Sequence, residues 1–351
     1  MKRIAFFQSD FGVGGIQKAL LNILNEIDYS QCAVDVYYFD KNAFFALPER
    51  ENLRFIYRKP YPYLYRLIFF GLLRRFAPIP VEDVDYDVAV DFSSYRNECA
   101  VGALCARAKK RVMWVHNDME IKLANEPKYR ILWRFFRKKF RYFDAFCPVS
   151  PGIVDSFRRA TGVTDKPIVP ISNHVDTGEI FAKVGQPIDL TVRESDYNLC
   201  TMGRLCHQKG YDILLNYMAE VCKARPDIHL YMIGDGPDRE KLTAQRDSLG
   251  LKDRVSFLGN QPNPFPYLDK MDGFVLTSRY EGQGIVIWEA KALGLELFIS
   301  KNLEKYNPGI SGYEDIVSAL KGAKRREKTY DDLREYNAEI SARLNQVLEL
   351  D

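Results

Sequence analysis

At 351 residues the chain is long for one hydrophobic core and comfortable for two. With 46% hydrophobic and 28% charged residues it is an ordinary globular composition, and a net charge of +3 carries no polybasic signature for nucleic acid. Seven scattered cysteines without a C-x-x-C pair argue against a disulfide framework or a zinc site and for reduced thiols in a cytosol-like compartment.

The start, Met1-Lys2-Arg3-Ile4-Ala5-Phe6-Phe7, is basic and then apolar but too short for a signal peptide, so it reads as a buried first strand. No apolar run approaches ~20 residues, so no transmembrane helix is expected. Strand-like and helix-like segments then alternate. A strand over Ile4–Gln8 is followed by a Gly-rich loop and by a helix from Ile16 to about Ile27, with Leu20, Leu21, Ile23, Leu24 and Ile27 at helical spacing. Further strands are expected over Val34–Phe39, Val88–Phe92, Arg111–Val115 and Ala145–Val149. They are mostly continuous apolar runs, as when both faces of a parallel sheet are covered.

A second series begins near Tyr197. Strands are expected at Asn198–Met202, His229–Ile233, Val255–Leu258, Phe274–Leu276 and Leu297–Ile299, with helices at Gly210–Ala224, Asp238–Leu249 and Ile285–Leu293. The pattern implies α/β architecture: two Rossmann-like, doubly wound domains facing a cleft. The polar stretch Lys183–Ser195 reads as the linker. The expected division is residues 1–185, residues 186–329, and a C-terminal helix over 330–351 that either crosses back to the first domain or projects freely.

Chemistry gathers in the loops after strands. Gly12-Val13-Gly14-Gly15-Ile16-Gln17-Lys18 opens the first helix, where glycines admit close approach of a phosphate or sugar. It is neither the dinucleotide fingerprint nor a Walker loop. Gly203-Arg204-Leu205-Cys206-His207-Gln208-Lys209-Gly210 follows the first strand of the second series. There Arg204 offers a planar fork and Lys209 a point charge, a pairing suited to a pyrophosphate. Gly234-Asp235-Gly236-Pro237 either borders a nucleotide or is a plain tight turn, and the loop at Gly259 could present backbone groups to a base edge. Tyr280-Glu281-Gly282-Gln283-Gly284-Ile285-Val286-Ile287-Trp288-Glu289 places one carboxylate in a loop and a second on the helix that the loop opens. Free N–H groups at that helix start suit a diphosphate, and the carboxylates suit sugar and ribose hydroxyls.

His116 ends an apolar strand near the expected cleft. The Asp83-Val84-Asp85-Tyr86-Asp87 run could chelate a metal, but its acids precede their strand and read as a solvated turn. Residues 65–76 and 129–141 are basic, aromatic and amphipathic. They suit an anionic membrane surface, or else ordinary packing of an apolar helix face.

Taken in order, these motifs resemble the retaining glycosyltransferases of the GT-B fold, family 4 (glycosyl transferases group 1). The similarity rests on Gly14-Gly15, His116, Asn173-x-Val175-Asp176, Gly203-Arg204-Leu205 with Lys209-Gly210, Gly234-Asp235-Gly236-Pro237, and Glu281-x7-Glu289. It implies that the first domain is the acceptor side and the second binds a nucleotide-diphosphate sugar, UDP ahead of GDP, with no metal or other cofactor. By the resemblance Arg204 and Lys209 hold the diphosphate, helped by the N–H groups of Gly284 and Ile285. Glu289 then binds the ribose and Glu281 the donor sugar. Gly15 lets the first domain close, and His116 sits beside the reacting sugar and acceptor. The acceptor would be lipid-linked or an oligosaccharide, in building surface polysaccharide, and the protein cytoplasmic and peripheral on the inner membrane face. A non-catalytic sugar-nucleotide-binding partner, or an epimerase or hydrolase on the same fold, are the alternatives. The chain departs from the family pattern at Gln283, at Glu296-Leu297, and at Lys301-Asn302-Leu303-Glu304, where Gly-Gly is expected. These departures are expected to touch the donor-sugar pocket.

Overall fold

A computed structural model describes residues 1–62, 84–94 and 96–350. The chain divides into two compact units, Met1–His174 with Glu335–Asp351, and Val175–Arg334. The first holds a six-stranded sheet of order β3-β2-β1-β4-β5-β6, comprising β1 (Lys2–Gln8), β2 (Cys32–Tyr38), β3 (Leu53–Tyr57), β4 (Asp85–Asp91), β5 (Arg107–Val115) and β6 (Ala145–Pro148). The second holds a five-stranded sheet of order β11-β10-β7-β8-β9, comprising β7 (Tyr197–Met202), β8 (Ile228–Ile233), β9 (Val255–Gly259), β10 (Gly273–Leu276) and β11 (Glu296–Ile299). Every pairing between these strands is parallel.

Parallel strands covered on both faces need apolar side chains in both directions, which is why Ile4, Ala5, Phe6 and Phe7 are all fully buried. In the second unit the helix Tyr211–Ala224 buries Tyr211, Leu214, Leu215, Met218 and Val221, a single stripe at helical spacing, against β7 and β8. Each sheet has one point where the strand order reverses, between β1 and β4 in one unit and between β7 and β10 in the other. In open α/β sheets the crevice beyond the carboxyl ends of such strands is where ligands sit.

The unit boundary falls at 174/175, ahead of the polar stretch expected to be the linker. Asp176 explains the difference. Its carboxylate caps the helix Thr177–Lys183 by accepting from Glu179 N at 2.8 Å. Asn263 then donates to Lys183 O at 3.0 Å and to Gln186 Oε1 at 2.9 Å, so residues 175–186 are tied into the second unit. The C-terminal helix Arg334–Leu348 packs on the first unit, burying Ile340, Leu344, Val347 and Leu348. Arg343 donates to Pro170 O at 2.9 Å and Lys110 to Val347 O at 2.8 Å.

Candidate active site

In the second unit the two loops that flank the strand reversal meet. After β7 the chain runs through Arg204 and Lys209. After β10 it runs through Arg279, Glu281 and Gly284 into the helix Ile285–Ala292. Lys209 Nζ lies 2.7 Å from Glu281 Oε1, with both side chains largely buried. Their backbones are stitched as well. Arg279 N donates to Gln208 O at 2.8 Å, and Gln208 Nε2 donates to Tyr280 O at 3.0 Å. The Arg279 guanidinium grips Asp212 with two bonds of 2.8 and 2.6 Å and reaches His207 O at 2.7 Å. That bidentate bond holds the Asp212 carboxyl below the usual carboxylate range.

The glycines of these loops answer to backbone crowding. Gly210 has φ +65°, and a Cβ there would sit 2.2 Å from Thr277 O. Only glycine therefore lets the lysine loop lie on the carboxylate loop. Gly234 has φ +127°, and a Cβ would fall 2.2 Å from Gly203 O. Gly234 N also donates to Gly259 O at 2.7 Å, and Leu205 N to Asp235 O at 3.0 Å. The turn Gly234–Gly236 thus supports the backbone that carries Arg204, a physical reason for its glycines that a base-edge or nucleotide contact does not require. Arg204 itself is exposed, and no ion pair of it is found among the described residues.

Glu289 is 4% exposed on the helix Ile285–Ala292, one turn in from its start. At that start the N–H of Gly284 donates to Asn307 Oδ1 at 3.2 Å. The N–H groups of Ile285 and Val286 have no protein acceptor among the described residues. Of the two N–H groups expected to face a diphosphate, Ile285 is therefore open and Gly284 is engaged.

In the first unit, Gly14 is the residue before the helix Gly15–Glu26 and has extended backbone. The loop is braced by Asp10, which accepts from Gly12 N and from Gln17 Nε2, each at 2.9 Å. His116 follows β5 and is 6% exposed. Its Nε2 lies 2.6 Å from Phe92 O. A carbonyl only accepts, so Nε2 carries the proton and Nδ1 keeps its lone pair. Burial pushes the imidazole down to about 4, so at neutral pH it is an uncharged hydrogen-bond acceptor.

The first unit also holds a buried charge cluster that sequence reasoning did not find. Asp91 is fully buried at the end of β4 and accepts from Ser93 N at 3.1 Å and Ser94 N at 3.0 Å. Lys139, 1% exposed, donates to Ser94 O and to Asn97 Oδ1. The segment 129–141 is expected as a basic amphipathic face, and Lys139 departs from it. It is instead the buried member of that segment, turned inward with Trp133, Phe136 and Phe140. The outward residues of the helix Pro127–Phe136 and the turn Arg137–Tyr142 are Arg130, Ile131, Arg134, Phe135, Arg137, Lys138 and Arg141. The companion segment 65–76 lies outside the described residues.

Position corrects the expected place of Glu296 and of the acidic run at 83–87. Glu296 begins β11 at the amino edge of its sheet, where it accepts from Tyr197 at 3.0 Å and pairs with Arg326 at 3.1 Å. It is therefore remote from the loops at the carboxyl edge, and this departure does not touch a donor-sugar pocket there. Asp85 and Asp87 lie in the first half of β4, not in a turn ahead of it, and pair with Arg107 and Lys109 at the amino edge of the first sheet, while Asp83 lies outside the described residues. Arg279 and Asp212, missed from sequence, had one signal. Each stands two positions from a motif residue, before Glu281 and after Gly210.

Two α/β units, each built on a parallel sheet with one strand reversal, have the architecture of the GT-B fold. The family described as glycosyltransferase family 4 matches residues 13–179, and that described as glycosyl transferases group 1 matches residues 186–305. The chain belongs to the GT-B glycosyltransferases of this group 1/family 4 type. It is similar to the lipopolysaccharide core biosynthesis glycosyltransferase LpsE of Rhizobium meliloti, 33% identical over 159 residues, 44% of this chain and 43% of that one. LpsD of the same organism is 35% identical over 113 residues, 32% of each chain. The chain thus spans less than half the length of these curated relatives. A crystal structure of Anabaena Alr3699/HepE in complex with UDP and glucose superposes with a TM-score of 0.69 at 19% identity, covering all of this chain and 95% of that one. Among the described residues, no helix is long and apolar enough to cross a membrane.

Proposed function

We propose that the protein is a retaining, metal-independent glycosyltransferase. It moves a sugar from a nucleotide-diphosphate donor, UDP ahead of GDP, to a lipid-linked or oligosaccharide acceptor in the assembly of a surface polysaccharide or lipopolysaccharide. The carrying observation is the buried Lys209–Glu281 pair, with Arg204 on the same loop and Glu289 on the helix whose free N–H groups follow. On donor binding Lys209 and Arg204 neutralise the diphosphate, and Ile285 and Val286 N–H groups meet its oxygens. The bond from the anomeric carbon to the phosphate oxygen breaks as the acceptor oxygen bonds that carbon from the same face. The departing phosphate oxygen takes the acceptor's proton. Charge grows on the diphosphate during this step, so its cations favour the transition state over the ground state. The neutral His116 accepts a hydrogen bond from a hydroxyl of the reacting sugar or acceptor.

The names of the relatives support the polysaccharide role. The outward face of 130–141 supports a cytoplasmic protein held at the inner membrane face. There Ile131 and Phe135, 67% and 47% exposed, stand among five cations, which suits an anionic lipid surface. Screening UDP-, GDP-, ADP- and CMP-sugars by ligand-observed NMR, with Glu289→Ala as control, tests the donor reading. Selective binding that the control loses is expected. No binding to any donor would sink it and favour the non-catalytic alternative.

A further inference from the structure

The loop that carries Glu281 is buried, from Tyr280 to Ile285, and its backbone groups must find partners inside the protein. On one side they do so through Gln208. On the other side they do so through a segment in which this chain departs from its family pattern. In place of Gly-Gly, residues Lys301–Tyr306 form a short 3-10 helix. Asn302 Nδ2 donates to both Ser278 O and Arg279 O at 3.1 Å. Asn307, fully buried just past the segment, accepts from Gly284 N at 3.2 Å and donates to Leu303 O at 2.9 Å. The segment is itself anchored. Leu303 and Tyr306 are buried, and Glu304 accepts from Gly312 N at 2.9 Å and Lys301 Nζ at 2.8 Å.

We propose that Asn302 and Asn307 are positioning residues for the donor diphosphate, a brace that sets the height and tilt of the Glu281 loop against the helix Ile285–Ala292. The inference rests on the donor reading above. Three physical steps carry it. Asn302 fixes the entry of the loop at Ser278 and Arg279, and Asn307 fixes its exit at Gly284. Glu281 lies between these two clamps, so its 2.7 Å approach to Lys209 is set by them. Because Asn307 occupies Gly284 N–H, the backbone anchor left for an anion consists of Ile285 and Val286 N–H, and Ile287 N is already bonded to Gly284 O at 2.9 Å. The two asparagines thus decide both where the carboxylate stands and which helix-start donors face the ligand.

The test measures binding of UDP, GDP and ADP by calorimetry, with thermal melting, for the wild type, Asn302→Ala, Asn307→Ala and Asn307→Asp. Asn302 is exposed, so Asn302→Ala is expected to melt as the wild type does while binding the preferred diphosphate about 10-fold more weakly. Asn307→Ala is expected to weaken binding at least as much and to melt earlier. Asn307→Asp keeps an oxygen toward Gly284 N–H but adds a charge beside the anion. Its loss should grow as salt is lowered, and that of Asn307→Ala should not. A folded Asn302→Ala that binds like the wild type overturns the proposal even if Asn307→Ala fails to fold. So does a variant that melts earlier with affinity unchanged, because that is a role in folding alone. A wild type that binds none of the three probes overturns the donor reading itself, and that failure shows before any substitution is made.

Discussion

The two units solve different electrostatic problems at the same kind of sheet edge. In the second, charge is brought to the site: Arg204 exposed, Lys209 paired with Glu281, Glu289 buried on the helix behind them. In the first, two opposite charges are buried. His116 at the strand end is neutral, and Asp91 and Lys139 are buried, where they hold the Ser93–Ser94 turn. On the function proposed above, the diphosphate would fall to the second unit and hydroxyl recognition to the first. Among the described residues of the first unit, five cations stand on the outward face of 130–141 and Lys139 is used in internal structure.

The comparison breaks most sharply at Arg204. If the charge of the second unit serves a departing diphosphate, Arg204→Ala should lower turnover by ~10²–10³-fold, the scale of losing a donor aimed at developing charge. Because the side chain is exposed and no ion pair of it is found among the described residues, the melting temperature should barely move. Turnover near the wild-type value would remove the diphosphate from this loop.

Next in size is the outward face of the first unit. Replacing Arg137, Lys138 and Arg141 by Ala should weaken binding to vesicles of anionic lipid by ~3 kcal/mol, at ~1 kcal/mol per cation, with no change on zwitterionic vesicles. Lys139→Ala is the contrasting variant. It removes the buried partner of Ser94 and Asn97, so it should lower stability rather than vesicle affinity. Unchanged co-sedimentation of the triple variant would return the face to ordinary solvated surface.

Most of the fold was legible because parallel strands leave continuous apolar runs. Each of the ten strands expected from sequence lies on an observed one, to within a few residues. The short edge strand Leu53–Tyr57 was missed, since half-burial gives no such run. The helix Asn97–Cys105 was missed for the opposite reason. All nine residues are buried, so no polar face marks its period. In the site, the residues named by motif are those next to glycines that admit close backbone approach. Those that hold them, Arg279, Asp212, Asn302 and Asn307, act across loops distant in sequence, and no local pattern records such pairings. Lys139 shows the converse failure. A run of three cations looks like surface, and only packing around Trp133 and Phe140 turns one of them inward.

The smallest effect sharpens the neutral side of the comparison. The folded imidazole of His116 titrates at about 4 instead of near 6.5. Above 6.5 both the folded and unfolded states hold it neutral, and its contribution to stability is fully present. As pH falls from 6.5 through about 4 the unfolded chain takes up the proton and the folded chain does not, so stability is lost progressively, by ~2 kcal/mol at pH 5. Asp91, pushed up to about 6 by burial, acts in the same window with the opposite sign, since its ionised form is the one the fold disfavours. Wild-type melting alone therefore mixes the two. The difference between the wild type and His116→Asn, whose amide can still donate to Phe92 O, removes the shared Asp91 contribution. That difference should favour the variant increasingly below pH 6.5 and stay constant above it. A difference independent of pH would mean that His116 is solvated in both states, and the first unit would lose its buried neutral hydrogen-bond acceptor.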